Sequence, residues 1–509
     1  MTNLTSVNGH RKVSAKASFV QAKYDNCRNW VVQKFGGTSV GKFAQAIVGD
    51  IISVSLKERR VAVICSARST GKKDEGTTSR LLEVFSVLTA IRSEIDTESV
   101  RYESLLIQYE RLVDTITEDH MSAARSHIRS QDLRFRLMKE IQDECDEIRE
   151  YRVATERWRL EMDSRAKDRV ISFGEKLSCR FITVLLQDRG IEAEYIDLSD
   201  LMRPKATRGI SINFFQETAA AIREKILTCN DRVPILTGFF GTVPGGLIDG
   251  EIGRGYTDLC AALVAIALSA EELQIWKEVD GIFTADPSKV PAARLLSTIS
   301  SSEAAELTFF GSEVIHHLTV DQVTHAIPSI NIRIKNVKKP YGSGTIIVPD
   351  STPGIGQLSR TKMHRSTNCI GKRQKRPTAI TIKENICVIN VHSNTRSLSH
   401  SFFFNVFSIL HKRRISVDLI STSEVHVSMA IHSANVPDEQ LQEAHKELDA
   451  YGNVSILHDM AIMSLVGAEM RSMNGVAGAS EINISCVINE HEATRAMNIV
   501  HAEFFTLHE

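Results

Sequence analysis

The chain has 509 residues, enough for two to four domains that each bury a hydrophobic core. Its 42% hydrophobic and 24% charged residues are typical of a soluble globular protein, and a formal net charge of −1 argues against binding nucleic acid or an acidic membrane surface. The nine cysteines contain no C-x-x-C pair, so they indicate reduced thiols and exclude a zinc or disulfide framework. The longest apolar run, Ala261–Leu268, is too short to span a bilayer.

The first 28 residues are polar and mildly basic. Arg11, Lys12, Lys16 and Lys23 face few acidic residues, and the segment lacks the apolar stretch of a secretory signal. A transit peptide stays an alternative, but the composition favours a disordered tail. We therefore expect a cytoplasmic protein.

The next segment combines a strand, a glycine turn and a helix start. The apolar run Trp30–Val32 predicts a buried strand, and the chain turns at Gly36 and Gly37 before two hydroxyl residues open a helix. A helix N-terminus presents unpaired backbone N–H groups and a positive dipole end to an anion. Lys34 adds a full positive charge beside them. This stretch therefore predicts a phosphate-binding site.

The same glycines partly match a P-loop. Gly36 is followed, after four residues, by Gly41 and Lys42, but Phe43 stands where a P-loop has the Ser or Thr that holds magnesium. Glycine turns also produce this spacing by chance, so a tight turn with a surface lysine stays an alternative.

Strands and helices then alternate, which predicts an α/β sandwich with a mainly parallel sheet. Glycine-rich turns follow the strand ends, where open α/β sheets bind ligands. Charged helices fill residues 80–169, with Leu105, Ile107, Tyr109 and Leu112 expected to face the core. The predicted strands are Val61–Cys65, Val170–Phe173, Glu194–Leu198, Val233–Gly238, Leu273–Trp276 and Ile330–Ile334.

The composition changes before the C-terminal part. Residues 349–377 are rich in Ser, Thr, Gly and basic residues and predict a linker. Beyond them, Val388–Val391 resembles Met463–Val466, and Val425–Ala430 resembles Ile482–Val487. With the helices between them, these strands predict the β-α-β-β-α-β order of a split βαβ fold. The interval between paired strands is about 37 residues in the first copy but only about 19 in the second, so the second copy lacks most of one helix and one strand.

Several motifs, in the right order, resemble those of the aspartate kinases. Their amino-acid sequences are nearest to those of the fungal members. They are Lys34-Phe-Gly-Gly-Thr-Ser-Val40, Phe173-Gly-Glu175, Gly253-Arg-Gly-x-Thr-Asp258, Val279-Asp-Gly-Ile-Phe-Thr-Ala-Asp-Pro287 and Gly311-Ser-Glu-Val-Ile-His316. The resemblance runs from about Trp30 to the C-terminus, where the repeats resemble the tandem ACT regulatory modules of that family.

This resemblance implies the amino acid kinase fold, a three-layer α/β/α sandwich with a mainly parallel sheet, followed by ferredoxin-like ACT repeats. The implied divisions are a disordered tail (1–28), a catalytic domain (29–348), a linker (349–377), a first ACT domain (378–458) and a shortened second ACT domain (459–509).

The resemblance also implies an activity: ATP- and Mg²⁺-dependent phosphorylation of the side-chain carboxylate of L-aspartate. That reaction is the first step toward threonine, methionine and, in organisms with that branch, lysine. Lys34 and Asp258 match the catalytic positions, where Asp258 organises the lysine that contacts the transferring phosphoryl group. The positions that match aspartate contacts are Ser66, Thr78, Glu175, Phe239, Arg254, Thr257 and His316. The positions that match phosphate and nucleotide contacts are Lys34, Gly36, Gly37, Ser39, Lys277, Asp280, Phe283, Thr284 and Asp286, and no side chain is assigned as a metal ligand.

The chemistry of this reaction agrees with these residue types. The attacking carboxylate has a pKa of about 4 and is already ionised at neutral pH, so no general base is required. Catalysis then reduces to alignment and to neutralising charge on the phosphoryl oxygens, for which lysine, backbone amides and magnesium are suited. Arg254 would hold the α-carboxylate of the substrate with two hydrogen bonds, and Glu175 would face its ammonium group.

Alternatives stay open for single residues. Arg254 and Asp258 would also form an ion pair with each other at a helix start. His316 is at least as well explained as a satisfied structural histidine. Ser288 stands where many relatives have arginine, and His317 where proline is usual, which puts a phosphate contact and a turn in question.

Alternatives also stay open for the whole chain. ACT modules pair to form effector sites, so we expect threonine as effector and at least a dimer. The shortened copy predicts impaired folding or altered feedback, unless it reflects an incorrect gene model. A different acid kinase of this fold would prefer glutamate. A non-catalytic, ACT-type amino-acid-sensing protein with a degenerate kinase domain is disfavoured, because Lys34, Glu175, Arg254 and Asp258 are all retained.

Overall fold

The computed structural model describes residues 29–71, 75–202, 213–243, 245–250, 252–253, 255–312, 315–350, 377–393, 400–423, 425–433, 436–468, 470 and 482–505. The predicted tail, Arg254 and most of the predicted linker lie outside these residues. The described chain forms one eight-stranded and one five-stranded sheet.

The larger sheet confirms the predicted mainly parallel architecture. Its strands are β1 (Trp30–Phe35), β2 (Arg60–Cys65), β3 (Ala193–Ile196), β4 (Val233–Thr237), β5 (Glu272–Lys277), β6 (Thr298–Ser300), β7 (Asn331–Asn336) and β8 (Thr345–Val348). They lie in the order β3-β4-β2-β1-β5-β7-β8-β6, and every neighbouring pair is parallel except β7 and β8.

Helices cover both faces of this sheet. They are α1 (Gly37–Ala46), which continues through a π-helical segment (Ile47–Ile52) into α2 (Ser53–Ser55), then α3 (Thr77–Ser93), α4 (Val100–His127), α5 (Gln131–Trp158), α6 (Ser164–Gln187), α7 (Phe214–Leu227), α8 (Tyr256–Leu268), α9 (Ser301–Phe309) and α10 (His317–Thr324). Along β2, Val61 and Val63 belong to the core with α3 to α6, whereas Ala62 and Ile64 belong to the core with α7 and α8. Since successive side chains of a strand point to opposite faces, the sheet is the middle layer of a three-layer sandwich.

Residues 170–173 do not form the predicted strand. They belong to α6, in which Val170 to Glu175 are all buried. A helix buried on all sides lacks the polar face that reveals its period, so a short apolar run inside it resembles a buried strand. The prediction that Ile107 faces the core is also wrong, because Ile107 is 47% exposed on α4, whereas Tyr109 is fully buried. Leu105 and Leu112 are partly buried against the same core.

The C-terminal sheet has the predicted β-α-β-β-α-β order. Its elements are β9 (Ala379–Ser393), α11 (His400–Lys412), β10 (Leu419–Thr422), β11 (His426–His432), α12 (Asp438–Leu448), β12 (Gly452–Val466), β13 (Asn483–Asn489) and α13 (Glu490–Phe505). The strands lie in the order β10-β11-β9-β12-β13, with every neighbouring pair antiparallel. The elements from β9 to β12 complete one split βαβ unit, with α11 and α12 packed on its core.

The second repeat shares its long strands with the first. β9 and β12 each run for 15 residues, with an irregularity between Leu457 and Met460, and their far halves pair with Thr381 opposite Ser464. β13 pairs with this half of β12, and α13 packs on it. The predicted boundary at residue 458 falls within β12, and residues 471–481 of the shortened copy lie outside the described residues.

The other edge of this half of β9 is covered by the larger domain. The Ile380 amide donates to the Thr284 carbonyl at 2.8 Å, and the Thr381 hydroxyl donates to the Phe310 carbonyl at 3.2 Å. An uncovered strand edge would leave polar backbone groups unpaired. The segment around residue 284 therefore pairs with one backbone group of this edge, and the segment around residue 310 binds the Thr381 side chain.

Two sequence-level expectations can be compared directly with the described chain. Among those residues, no helix is both long and apolar enough to cross a membrane. Six of the seven cysteines that the structure describes are buried, which agrees with the prediction of core residues, but Cys486 is exposed.

Candidate active site

The carboxyl ends of four neighbouring parallel strands, β4, β2, β1 and β5, lie at one edge of the larger sheet. The segments that follow them contain Phe239, Ser66, Gly36 and Glu278, and Lys277 is the last residue of β5. In open α/β sheets this edge is where ligands bind. The fold thus brings distant predicted site residues to one place.

Lys34 of β1 forms an ion pair with Asp258 in the first turn of α8. The distance from Lys34 Nζ to Asp258 Oδ1 is 2.7 Å, and the two side chains are 11% and 10% exposed. Burial alone would raise the pKa of Asp258, but the charges of Lys34, Lys277 and His316 lower it below its usual value. Asp258 is therefore an anion that holds the Lys34 ammonium at the end of β1.

The glycines after β1 have different environments. Gly36 is the N-cap of α1, and a Cβ atom there would meet nothing within 4 Å. A Cβ atom on Gly37 would collide with the Ala67 carbonyl oxygen, and one on Gly41 with that of Ser69. Gly37 and Gly41 therefore let α1 lie directly on the chain that follows β2, which accounts for the P-loop-like spacing. Gly36 leaves the helix N-terminus accessible to an anion.

α1 also contacts the segment that follows β5. The Ser39 hydroxyl is fully buried and donates to Glu278 Oε1 at 2.7 Å. Phe35 stacks on Trp276 with ring centroids 6.0 Å apart. The Ser39–Glu278 hydrogen bond joins the glycine turn to the end of β5, and the charge of Lys277 lowers the pKa of Asp258.

Glu175 of α6 joins the loop after β4 to the first turn of α8. It is buried, and it accepts hydrogen bonds from the Phe239 amide at 2.5 Å and from the Thr257 hydroxyl at 2.9 Å. Burial raises the pKa of Glu175 to about 7, although the hydrogen bonds from Thr257 and Tyr256, the Phe239 amide and the Lys34 charge oppose this rise. The structure thus brings Glu175, Phe239 and Thr257 into direct contact, as one acceptor with two donors.

Ser66 and Thr78 lie next to the turn of α6 that carries Glu175. The Ser66 amide donates to the Phe35 carbonyl at 3.1 Å, and Thr78 is half-buried in the first turn of α3. A Cβ atom on Gly174 would lie 2.8 Å from Ala67 Cβ and 3.2 Å from Thr77 Cγ2. The glycine therefore permits close packing of α6 against the residues beside Ser66 and Thr78.

His316 braces the chain just before α8. Its Nε2 donates to the Ile252 carbonyl at 2.7 Å, and a Cβ atom on Gly255, whose φ is 99°, would come within 3.0 Å of the imidazole ring. It also helps to lower the pKa of Asp258. These contacts explain His316 as a structural residue and also place it close to the candidate site. Arg254 and the side chain of His317 lie outside the described residues.

Two predicted nucleotide residues are held by local hydrogen bonds. Asp280 accepts from Asn336 Nδ2 at 2.7 Å and from Lys339 Nζ at 2.9 Å, and these bonds lower its pKa. Asp286 is exposed and accepts from the amide and the hydroxyl of Ser288 at 2.9 and 2.7 Å. Ser288 thus caps the Asp286 carboxylate in a local turn.

Two others lie at the contact with the C-terminal sheet. Phe283 forms an isolated β-bridge with Leu295. The Thr284 hydroxyl accepts from the Arg294 amide at 2.9 Å and lies 2.9 Å from His501 Nε2 in α13. These contacts favour a structural role for Thr284, and its contact with a nucleotide stays a prediction.

Two carboxylates of this region were missed. Glu278 lies outside the recognised motifs, and its position directly after Lys277 is the only sequence signal that points to it. Asp168 accepts from the Leu247 and Ile248 amides in the loop between β4 and α8. It precedes Glu175 by seven residues, so a helical interpretation of this stretch would have placed both carboxylates on one face. The incorrect strand at residues 170–173 concealed that relation.

The arrangement suits one kind of chemistry. The Lys34 ammonium and the N-terminus of α1 lie at the same edge of the sheet, where positive charge of this kind neutralises an anion such as a phosphoryl group. Glu175 lies nearby as a partner for a cationic group. Within the described ranges, there is no group of three or more His, Cys, Asp or Glu side chains that could hold a metal ion.

Known proteins resemble the chain over most of its length. The sequence pattern of the amino acid kinase family matches residues 29–336. Aspartate kinase FUB3 of Gibberella moniliformis is 48% identical over 96% of this chain and 99% of that protein. The aspartokinase of Schizosaccharomyces pombe is 45% identical over 95% of each chain.

Solved structures share the fold of both sheets. E. coli aspartokinase III in complex with aspartate and ADP matches with a TM-score of 0.68 and 24% identity, over 94% of this chain and all of that one. Its complex with lysine and aspartate matches with a TM-score of 0.69 and 25% identity, over 94% and 99% of the two chains.

Proposed function

The chain belongs to the amino acid kinase family and, within it, to the aspartokinases, and we propose which of its residues carry out the reaction. It transfers the γ-phosphoryl group of ATP to the side-chain carboxylate of L-aspartate, which yields 4-phospho-L-aspartate and ADP. One observation carries the assignment of residues: the buried pair of Lys34 and Asp258 at the carboxyl end of β1.

Lys34 and the start of α1 supply the positive charge for the transfer. Negative charge is spread over the three equatorial oxygens of the phosphoryl group in the transition state. The Lys34 ammonium and the amides beside Gly36 neutralise it. Asp258 acts through Lys34 and is a positioning residue, since it holds the ammonium in place before the substrates arrive. It takes no proton, because the attacking carboxylate is already ionised.

Glu175 and the first turn of α8 bind aspartate. A carboxylate offers about four lone-pair sites, and Glu175 uses three of them for Phe239, Thr257 and Tyr256. The fourth accepts from the substrate ammonium. Arg254, between Gly253 and Gly255 in the sequence, pairs with the α-carboxylate. The β-carboxylate then points toward Lys34, and the E. coli enzyme has been solved with aspartate and ADP together.

Magnesium fits this site as an ion bound mainly by the nucleotide. Mg²⁺ in kinases keeps several waters and uses one or two carboxylates with the substrate phosphates. Glu278, which accepts from Ser39 beside the glycine turn, is the carboxylate that we assign to it. When bound, the ion neutralises charge on the phosphate oxygens.

The C-terminal sheet regulates the kinase through the chain that follows β5. Ile380 and His501 both contact Thr284, Lys289 pairs with Glu384, and Asn498 Nδ2 donates to the Lys289 carbonyl at 3.0 Å. A displacement of β9 or α13 therefore moves residues 284–290, which continue from Lys277.

The effector, the assembly and the pathway are proposals as well. E. coli aspartokinase III has been solved with lysine, and we assign threonine to this chain, with feedback inhibition that is weakened because the second ACT copy is shortened. The ACT repeats, which share β9 and β12, pair between two copies and follow a kinase domain of residues 29–348 and a linker of residues 349–377. The product feeds threonine and methionine synthesis, and the enzyme works in the cytoplasm.

A hydroxamate assay tests these assignments. With ATP, Mg²⁺ and L-aspartate, hydroxylamine traps the acyl phosphate formed by the wild-type chain. Lys34→Ala should lower the rate by about 10²-fold or more, because a preorganised donor to the phosphoryl group is lost. Lys42→Ala is the matched control, since Lys42 is an exposed lysine of the same helix start.

The double variant Lys34→Ala/Asp258→Asn removes the buried charge that Lys34→Ala leaves unpaired, and its thermal midpoint separates misfolding from lost chemistry. Normal turnover of Lys34→Ala would show that the assignment is wrong. L-Glutamate, assayed in parallel, should be a poor substrate, and a preference for it would identify a different acid kinase.

A further inference from the structure

Two carboxylates of α6 hold opposite ends of one loop. Asp168 and Glu175 are seven residues apart, so they project from the helix within about 20° of each other. Glu175 accepts from Phe239, at the start of the segment between β4 and α8, and from Thr257, just past its end. Asp168 accepts from the Leu247 and Ile248 amides in the middle of that segment. Only Glu175 has a place in the proposed reaction.

Asp168 is built into the fold as an anchor. Its residue is 1% exposed, and both carboxylate oxygens accept backbone N–H groups, that of Ile248 at 3.2 Å. Gly246, with a φ of 88°, lies so close that a Cβ atom there would be 2.7 Å from Ser164 Cβ and 3.1 Å from Asp168 Oδ2. Burial raises the pKa of Asp168 to about 6, although the two amides oppose this rise. At pH 8 it is therefore ionised and accepts at both oxygens.

A second hydrogen bond carries this anchor toward the substrate. Leu247, whose amide binds Asp168, accepts at its carbonyl from the Gly253 amide at 2.8 Å. The neighbouring Ile252 carbonyl accepts from His316. The chain from Leu247 to Gly253 is thus closed on itself, bound to α6 at one side and to α10 at the other. Its next described residue, Gly255, is the N-cap of α8.

We propose that Asp168 is a positioning residue for the acceptor acid: by fixing Leu247 it sets the place of Gly253 and of the entry to α8, which carries Thr257. The inference rests on the proposed function, because that function assigns this loop and Thr257 to the binding of aspartate. The predicted nucleotide residues lie in or after β1 and β5, and none of them follows β4. Loss of the anchor should therefore weaken the binding of aspartate and leave that of ATP intact.

Asp168→Asn is the decisive variant. It is nearly isosteric, but its amide nitrogen cannot accept, so one of the two backbone N–H groups loses its partner. At pH 8 we expect KM for aspartate to rise about tenfold or more and KM for ATP to stay within about twofold, since a misplaced binding group costs one substrate alone. The matched control is Asp249→Asn, which breaks the 2.8 Å pair with Lys167 in the same loop but frees no amide, and both constants should stay near wild type.

Amide hydrogen exchange provides a readout that does not need turnover. In Asp168→Asn, exchange over residues 245–253 should become faster, with no change in the strands. KM for aspartate within about twofold of wild type, or an equal rise in both KM values, would overturn the proposal. A wild-type chain that does not phosphorylate aspartate would instead overturn the proposed function. The exchange result would then still decide whether Asp168 anchors the loop.

Discussion

Protonation of Glu175 should limit aspartate binding near neutral pH. Burial raises its pKa from the usual 4.5 to about 7, against the opposing effects of Thr257, Tyr256, Phe239 and Lys34. The ionised form accepts the hydrogen bonds of Phe239 and Thr257 and, in the proposed mechanism, that of the substrate ammonium. The protonated form loses that attraction.

The size of the effect follows from the pKa. With a pKa of about 7, roughly one tenth of the molecules carry ionised Glu175 at pH 6 and roughly nine tenths at pH 8. The constant kcat/KM reports the free enzyme, so for aspartate it should rise about tenfold over this range. kcat should lack this dependence, because the bound ammonium favours the ionised carboxylate.

The assay is the initial rate of hydroxamate formation between pH 6 and pH 8, with aspartate varied at saturating ATP. Glu175→Gln should remove the pH dependence near 7 and lower kcat/KM at pH 8 by about 10²-fold, the loss expected for a hydrogen bond to a charged group. Glu140→Gln, on α5, is the control and should keep the wild-type profile. A wild-type value of kcat/KM that is flat from pH 6 to pH 8 would refute the reasoning.

The same pKa shift has a separate consequence for stability. Glu175 ionises near 4.5 in the unfolded chain but near 7 in the folded protein, so the folded state holds the extra proton between these values. Its contribution to stability is full below about pH 4.5 and is lost as the pH rises through about 7, by roughly 3 kcal/mol at most. From pH 5 to pH 8, the thermal midpoint of Glu175→Gln should therefore rise relative to that of the wild type. A constant difference would contradict this.

Three further predictions concern the glycine turn and the C-terminal sheet. Gly37→Ala should lower the free energy of unfolding by about 1–3 kcal/mol or more, because the new Cβ collides with the Ala67 carbonyl. Gly36→Ala places its Cβ in open space and should keep the thermal midpoint of the wild type. Equal midpoints for the two variants would contradict the packing argument. His501→Ala should raise KM for ATP a few fold, because Thr284 loses its buried partner. His491→Ala removes an exposed histidine of the same helix and should leave KM for ATP unchanged. Identical KM values for the two variants would show that α13 does not support the segment after β5. Threonine should inhibit this chain weakly or not at all, since the second ACT copy is shortened, and a complete threonine inhibition curve in the kinase assay would count against that expectation.

The larger domain was predictable where each strand is a separate apolar run. Val61–Cys65 and Val233–Thr237 alternate with helices whose charged faces are visible in the sequence, and both became parallel strands. The short strands β6 and β8 were missed, because runs of three and four residues carry too little periodicity. The strand prediction for residues 170–173 was wrong for another reason. That turn of α6 is buried on all sides, so it lacks the polar face that would reveal a helix.

The candidate site was predictable to the extent that motifs mark it. The pairing of Lys34 with Asp258 joins residues 224 positions apart, which no local pattern reveals; the resemblance to aspartate kinases supplied it. Asp168 and Glu278 lie outside the motif residues assigned a role, so their contacts emerge only when α6 and β5 are placed in space. The same holds for Thr284, which lies in a motif but contacts His501 from the C-terminal helix.

The position of Asp280 decides how a regulatory movement can reach the site. Lys277 and Thr284 are seven residues apart, so an extended chain between them spans at most about 25 Å. Asp280 lies between them, fixed by Asn336 at 2.7 Å and Lys339 at 2.9 Å. A shift of α13 that moves Thr284 must therefore either break these two bonds or be absorbed by residues 281–283. Of these three, only Gly281 has a backbone conformation that other residues rarely adopt, with a φ of 150°. A substitution of Gly281 would therefore be strained, whereas its backbone angles can change more readily. In the proposed regulation through this segment, the effect on the site consequently depends on how firmly Asn336 and Lys339 hold Asp280, and not on the strength of the effector contact alone.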